Sequence, residues 1–308
     1  MSKKILISPG SYGKINNDAL DYLSNAGFEY ELNPYGKTLT EEQCIELLSD
    51  KVGIIAGTEP ITEQTFEKNP QLKYVCRFGV GMNNVDLQAA KSRGIPVENT
   101  PSGHVEGVAE LCLGGILAIS RHIGTAHHQM KSGVWKKPMG NLLKNKVVGM
   151  LGFGQVARRT AELMQPFRVK IIATDVNWDE AEAQRLNATR VSLEELLTNS
   201  EIVSLHLPLM DETRNIIGGK EFALMKENAI VVNTSRGGLI DEAALYSFLT
   251  KNSASRAYID TFDEEPYSGD LLSLDNILLT PHMGSYAEEV RVNMEMETAE
   301  KTIAFFNT

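Results

Sequence analysis

Residues 146–175 limit what this chain can fold into more than any other stretch. An apolar run, Val147–Leu151, ends in Gly152-Phe153-Gly154-Gln155-Val156-Ala157; a helix-like segment follows, and a second apolar run over residues 169–173 stops just before Asp175. The order predicts strand, turn, helix and strand, and each turn residue has a physical job. Gly152 permits the tight turn, Gly154 lets the backbone approach a pyrophosphate, and the small Ala157 lets helix and strand pack closely. The bare N-terminus of the helix then points its N–H groups at the phosphates. Asp175 lies 21 residues beyond Gly154. There a carboxylate can accept hydrogen bonds from the ribose 2′- and 3′-hydroxyls, and its charge repels a 2′-phosphate. The segment reads as a dinucleotide site that takes NAD rather than NADP. Glycines also collect in ordinary turns, so the motif counts because the strand before it, the helix after it and the distant acid agree.

At 308 residues the chain exceeds the usual single domain, so two domains are expected. Hydrophobic residues at 42% and charged residues at 23% describe an ordinary soluble globular protein. A net charge of −10 argues against a nucleic-acid or anionic-membrane partner. The three cysteines, Cys44, Cys76 and Cys112, are widely spaced in apolar or helical surroundings, which predicts reduced, buried thiols of a cytoplasmic protein. No Cys or His spacing suggests a metal site. The apolar run after Lys3-Lys4 is only strand-length, too short for a signal peptide or a membrane span.

Apolar periodicity predicts strands over residues 4–8, 28–32, 52–56, 72–76 and 96–98, with helices over 15–26, 40–48, from 62, and 87–93. A long apolar helix is expected over residues 105–130, containing Gly114-Gly115 and followed by Gly133-Val134-Trp135. It reads equally as an arm crossing to a second subunit and as a buried core helix. Further strands are expected over residues 202–205, 230–233, 257–260 and 277–279, with helices over 179–186, 193–199, 220–224, 242–249 and 286–306. Such β/α alternation implies parallel sheets with helices on both faces.

Ligands of open α/β sheets bind beyond the carboxyl ends of the strands. Three expected ends are followed by Thr234-Ser235-Arg236-Gly237-Gly238, by Thr261-Phe262-Asp263-Glu264-Glu265-Pro266, and by Thr280-Pro281-His282-Met283-Gly284-Ser285. Arg236 offers a planar, permanently charged fork that matches the carboxylate and oxo group of a 2-oxo acid. His282 can give a proton to that carbonyl as hydride arrives, or take one in reverse. Glu265, hydrogen-bonded to the imidazole, would favour its charged form.

Over essentially its whole length the sequence resembles the D-isomer-specific 2-hydroxyacid dehydrogenases. The matching stretches are Arg77-Phe78-Gly79-Val80-Gly81-Met82-Asn83-Asn84-Val85-Asp86, the Gly-rich turn, His206-Leu207-Pro208-Leu209 with Thr213, Asn233-Thr234-Ser235-Arg236-Gly237, Asp260 with Glu265-Pro266, and Thr280-Pro281-His282. The resemblance implies two doubly wound parallel-sheet domains: a flavodoxin-like substrate domain from residues 1–99 with 285–308, and a Rossmann NAD domain from residues 100–284. It implies catalysis by Arg236, Glu265 and His282. It implies NAD contacts from Gly152, Gly154, Gln155, Val156, Asp175, Pro208, Thr213, Thr234, Ser235, Arg236, Asp260, His282 and Gly284, with Asp260 on the nicotinamide amide. Substrate contacts would come from Arg77 and from the backbone N–H groups around Val80 and Gly81. Homodimers built through the long helix and the Trp135 arm are also implied.

Within that family the chain is most similar to short phosphoglycerate dehydrogenase-like members, which lack a serine-sensing regulatory domain. Asn83 stands where the family often has Asp, in a loop that works through its backbone. Relatives acting on phosphoglycerate tend to place an arginine in the loop after the third strand, where this chain reads Gly57-Thr58-Glu59-Pro60. A glutamate there repels phosphate, so Arg77, Lys136 or Lys137 would have to supply the positive charge. The implied substrates are phosphoglycerate, glycerate with hydroxypyruvate, and glyoxylate; Glu265 argues against formate, because formate dehydrogenases of this fold usually carry an amide there. A non-enzymatic, NAD-sensing corepressor would not require the intact Arg, Glu and His set. An L-lactate-type enzyme would place its Gly-rich turn near the N-terminus.

Overall fold

The computed structural model describes residues 3–101 and 103–307; the expected domain ends at Met1, Ser2 and Thr308 lie outside them. In chain order the elements are β1 (Lys3–Ile7), α1 (Asp18–Asn25), β2 (Phe28–Leu32), α2 (Glu41–Leu47), β3 (Gly53–Ala56), α3 (Glu63–Lys68), β4 (Tyr74–Arg77), α4 (Leu87–Ser92), β5 (Val97–Asn99), α5 (Val105–Ser120) and α6 (Ile123–Lys131). They continue as β6 (Val147–Leu151), α7 (Gln155–Met164), β7 (Lys170–Thr174), α8 (Glu180–Arg185), β8 (Ala188–Arg190), α9 (Leu193–Asn199), β9 (Ile202–Leu205), α10 (Gly219–Leu224), β10 (Ile230–Asn233), α11 (Glu242–Lys251), β11 (Arg256–Ile259), β12 (Ile277–Leu279) and α12 (Glu288–Asn307). The chain divides into two compact units, Met1–His104 with Ser285–Thr308, and Val105–Gly284.

The first unit holds a five-stranded parallel sheet of order β2-β1-β3-β4-β5. Every residue of β3 and β4 is buried, as expected of central strands covered on both faces. Helix starts follow local chemistry: Thr40 caps α2 in a reciprocal box with Gln43, and Asp86 caps α4 through the Ala89 N–H. α12 packs in this unit, where Phe305 stacks on Tyr74 at 4.5 Å between centroids and Phe306 meets Phe28 edge-on. Such pairs add about 0.5–1.5 kcal/mol each beyond area burial. α1 starts at Asp18, later than expected, because residues 10–13 form turns and Tyr12 is drawn into the core instead.

The second unit holds a seven-stranded parallel sheet of order β12-β11-β10-β9-β6-β7-β8, with the doubly wound switch point between β6 and β9. Its register sets Leu151 beside Leu205 and Asn233 beside Ile259, so the chain emerges from β6, β9, β10 and β11 at one edge. The single helix expected over residues 105–130 is two. His122, at φ 54°, takes a left-handed conformation, and the pieces bend by 63°. The core reading describes α5, which buries Ala109, Cys112, Ile116 and Ile119. Gly115 is needed there because a Cβ would lie 2.0 Å from the buried Tyr258 ring. α6 buries no residue, and Val134, Trp135, Met139 and Leu142 beyond it are exposed. Among the described residues no single helix is long and apolar enough to cross a membrane.

Candidate active site

The Gly-rich turn leaves β6 as the sequence requires. Gly152 sits at φ +94°, and a Cβ there would lie 2.6 Å from the His206 carbonyl oxygen, so a side chain is excluded by conformation and by space. Gly154 is the N-cap of α7 and makes no side-chain cap; a Cβ there would meet nothing within 4 Å. The turn therefore faces open space with the N-terminal N–H groups of α7, Gln155 and Val156 among them, lacking helical partners. Asp175 closes the end of β7: its Oδ2 accepts from the Phe153 N–H at 2.6 Å and its Oδ1 from Asn177 at 2.8 Å. Arg158 braces the turn from the helix side, donating to the Phe153 carbonyl at 2.8 Å and pairing with Asp179 at 3.1 Å. A glycine cradle, an uncapped helix and a carboxylate fixed beside them fit the pyrophosphate and ribose of NAD.

The other expected cofactor residues lie on neighbouring loops of the same edge. Thr213 Oγ1 donates to the Pro208 carbonyl at 2.7 Å and accepts from Met210 N–H at 2.8 Å, which fixes the loop after β9. Ser235 Oγ ties the loop after β10 to the Leu207 carbonyl at 2.5 Å. Thr234 is 4% exposed, and its hydroxyl has no hydrogen-bond partner among the described residues. Desolvation pushes His206 down to about 4, so it stands neutral beside Ser204 Oγ, 2.9 Å from its Nε2.

Arg236 is shaped by its neighbours. Asn233 Nδ2 donates to the Arg236 carbonyl at 2.8 Å, and Gly237 must lack a Cβ because the Phe262 carbonyl oxygen would lie 1.7 Å from it. Burial lowers the guanidinium from its ordinary value and the Glu265 charge opposes that, so it stays cationic at neutral pH. His282 Nδ1 lies 2.8 and 3.0 Å from the two Glu265 oxygens. A carboxylate only accepts, so Nδ1 carries the proton toward it and Nε2 is the atom left for chemistry. Burial would raise the Glu265 carboxyl, but the His282 contact and the Phe262 N–H outweigh it and hold it below its ordinary value. Arginine, acid and histidine thus stand at the ends of β10, β11 and β12 of one sheet.

Asp260 does something that spacing did not reveal. It is fully buried; Oδ1 accepts from Thr280 Oγ1 at 2.5 Å and from Met283 N–H at 2.9 Å, and Oδ2 accepts from Gly284 N–H at 3.1 Å. Its carbonyl accepts from His282 N–H at 2.8 Å, and Tyr258 OH lies 3.0 Å from Thr280 Oγ1. The carboxylate expected to reach a nicotinamide amide is largely engaged in pinning the left-handed backbone of His282, at φ 51°. Nothing in the sequence marked Tyr258 or Asn233 for these roles.

The expected substrate residues stand in the first unit. Arg77 is 8% exposed; its Nε donates to Asn84 Oδ1 at 3.2 Å and its Nη1 to the Phe78 carbonyl. It props the turn at Gly79, where φ is +145°. No protein acceptor for the Val80 or Gly81 N–H occurs among the described residues. Glu59 is 1% exposed, its Oε1 accepting from the Gly57 N–H at 3.0 Å and from the Ser8 hydroxyl.

Residues 113–284 match the profile described as D-isomer specific 2-hydroxyacid dehydrogenase, NAD binding domain. A hydroxypyruvate reductase of Thermotoga maritima is 35% identical over 93% of this chain and 94% of its own. The chain belongs to the D-isomer specific 2-hydroxyacid dehydrogenase family. Like its relatives, this 2-hydroxyacid dehydrogenase is an NAD-dependent oxidoreductase, and its two parallel sheets are the family's architecture. A D-3-phosphoglycerate dehydrogenase of Methanocaldococcus jannaschii is 37% identical over 90% of this chain, which spans 53% of that relative's length. A solved protein of Thermus thermophilus superposes with a TM-score of 0.88 at 30% identity, covering 96% of this chain and 94% of its own.

Proposed function

We propose that this dehydrogenase interconverts D-3-phosphoglycerate and its 2-oxo acid, with hydroxypyruvate and glyoxylate reduction as the alternative. The observation that carries the chemistry is the His282–Glu265 contact of 2.8 Å, with Arg236 in the loop after the adjacent strand β10. Gly152, Gly154, Gln155, Val156 and Asp175 of the second unit would hold NAD, which when bound would supply or accept the hydride. Arg236 orients the substrate through its carboxylate and oxo group, in the bidentate manner of guanidinium groups. His282 Nε2 delivers a proton to the developing alkoxide or removes it in reverse, while Glu265 fixes the tautomer and stabilises the imidazolium. The first unit serves as the substrate domain, its Val80 and Gly81 N–H groups binding a carboxylate. The protein works in the cytoplasm as a homodimer that covers Trp135, Met139 and Leu142, which light scattering of the purified protein checks.

The experiment for substrate is NADH oxidation with 3-phosphohydroxypyruvate, hydroxypyruvate and glyoxylate in parallel. A kcat/KM highest for phosphohydroxypyruvate supports the proposal. A preference for the unphosphorylated acids sinks it in favour of the reductase.

A further inference from the structure

A phosphorylated substrate needs a cation at its tail, and the first unit's expected donor is otherwise occupied, since Arg77 serves Asn84 and Phe78. A different guanidinium in the same unit keeps most of its donors uncommitted. Arg291, in the first turn of α12, is nine-tenths buried at 9% exposure. Its guanidinium carbon lies 4.1 Å from the Phe78 ring centroid and 4.9 Å from that of Tyr286, so two aromatic faces hold it. One nitrogen donates to Ser11 Oγ, in the loop after β1. No carboxylate among the described residues pairs with it. Glu295, one turn along α12, bonds the Gly13 N–H instead.

Burial pulls Arg291 below its ordinary value, and the Tyr286 and Glu295 groups nearby oppose that without forming a direct ion pair with it. Guanidinium carries five N–H donors and Ser11 takes one, which leaves a preorganised fork at the carboxyl end of the sheet. Phe78, which carries it, is two residues from Val80, whose N–H is open.

We infer that Arg291, set by Phe78, Tyr286 and Ser11, is the residue that binds the anionic tail of the substrate. This rests on the 2-oxo acid reading above, and it names the substrate class as acids whose carbon chain ends in a second anion, a phosphate monoester or a carboxylate. The planar fork suits either oxyanion bidentately. Glu59 no longer stands against it, since its carboxylate is turned inward onto Gly57 and Ser8.

The test compares kcat/KM of the wild type, Arg291→Gln and Arg291→Lys on phosphohydroxypyruvate, oxaloacetate, hydroxypyruvate and glyoxylate. Arg291→Gln should lower the value for the doubly anionic acids by about tenfold to a hundredfold, mostly in KM, with hydroxypyruvate and glyoxylate within about threefold. Arg291→Lys should recover part of the loss. Inhibition by inorganic phosphate should weaken in the Gln variant too. An equal loss on all four acids, or none, overturns the inference. Should Arg291→Gln not fold, Ser11→Ala carries the test, with a smaller loss confined to the doubly anionic acids expected and a uniform or absent effect overturning it. If oxaloacetate is preferred to phosphohydroxypyruvate and the loss is still selective, the phosphoglycerate reading fails while the role of Arg291 stands.

Discussion

The two parallel sheets of this dehydrogenase end differently. In the second unit the loops after β10, β11 and β12 carry the charged side chains Arg236, Glu265 and His282, the last two bonded to each other. In the first unit Glu59, in the loop after β3, and Arg77, at the end of β4, turn their charges inward onto Gly57 and Asn84, and the loop after β4 offers the Val80 and Gly81 backbone N–H groups instead. The same architecture serves two kinds of work. Side chains at strand ends can move protons, whereas backbone amides and a buried guanidinium bind charge without titrating near neutrality. If that division is right, substitutions in the second unit act on kcat, and those in the first act on KM.

The largest effect should come from Arg236→Gln, which removes substrate orientation; kcat/KM is expected to fall by about 10²–10³-fold with every acid, checked by steady-state assay. Survival of activity would dissolve the contrast. Glu265→Gln should follow, lowering kcat by about tenfold to a hundredfold, since it removes the partner that sets the tautomer. Its pH behaviour has a definite sign. The folded carboxyl is held low, so the stability it contributes is present above the ordinary carboxylate value and lost as pH falls through the lower folded one. The difference in Tm between wild type and Glu265→Gln should therefore shrink on acidification, and a constant difference would contradict the assignment.

Asp175→Ala should narrow the preference for NAD over NADP by about tenfold, because the carboxylate both bonds the ribose hydroxyls and repels a 2′-phosphate. An unchanged ratio of kcat/KM values removes that role. The smallest effect is expected at Thr280→Val, where loss of one hydrogen bond to Asp260 should cost His282 its fixed placement and lower kcat by about fivefold, with NADH affinity unchanged. A parallel loss of NADH binding would mean that Asp260 serves the nicotinamide more than the histidine.

Much of this was legible in the chain. Strands β3, β9 and β10 are mostly apolar, so burial on both faces could be read directly, and the Gly-rich turn announced itself by its place between an apolar run and a helix with Asp175 beyond. β8 could not be read, because Ala188-Thr189-Arg190 is short and its last two residues are exposed. The break at His122 was hidden because apolar spacing continues across it, and only the left-handed backbone betrays it. Candidate site side chains could be picked out where strands were expected to end. Asp260 was named from the sequence, but its bonds could not be read there, since they depend on how the following loop folds back. Arg291 was missed because in sequence it is one polar residue on an otherwise ordinary helix; its two aromatic neighbours come from distant and adjacent segments together.

The most direct measurement is kcat of His282→Ala beside its NADH dissociation constant, read by fluorescence of the bound cofactor. Proton transfer by His282 Nε2 predicts a fall in kcat of about a hundredfold or more with NADH affinity within about twofold of wild type. Undiminished turnover, or a loss of NADH binding that matches the loss of rate, would contradict it.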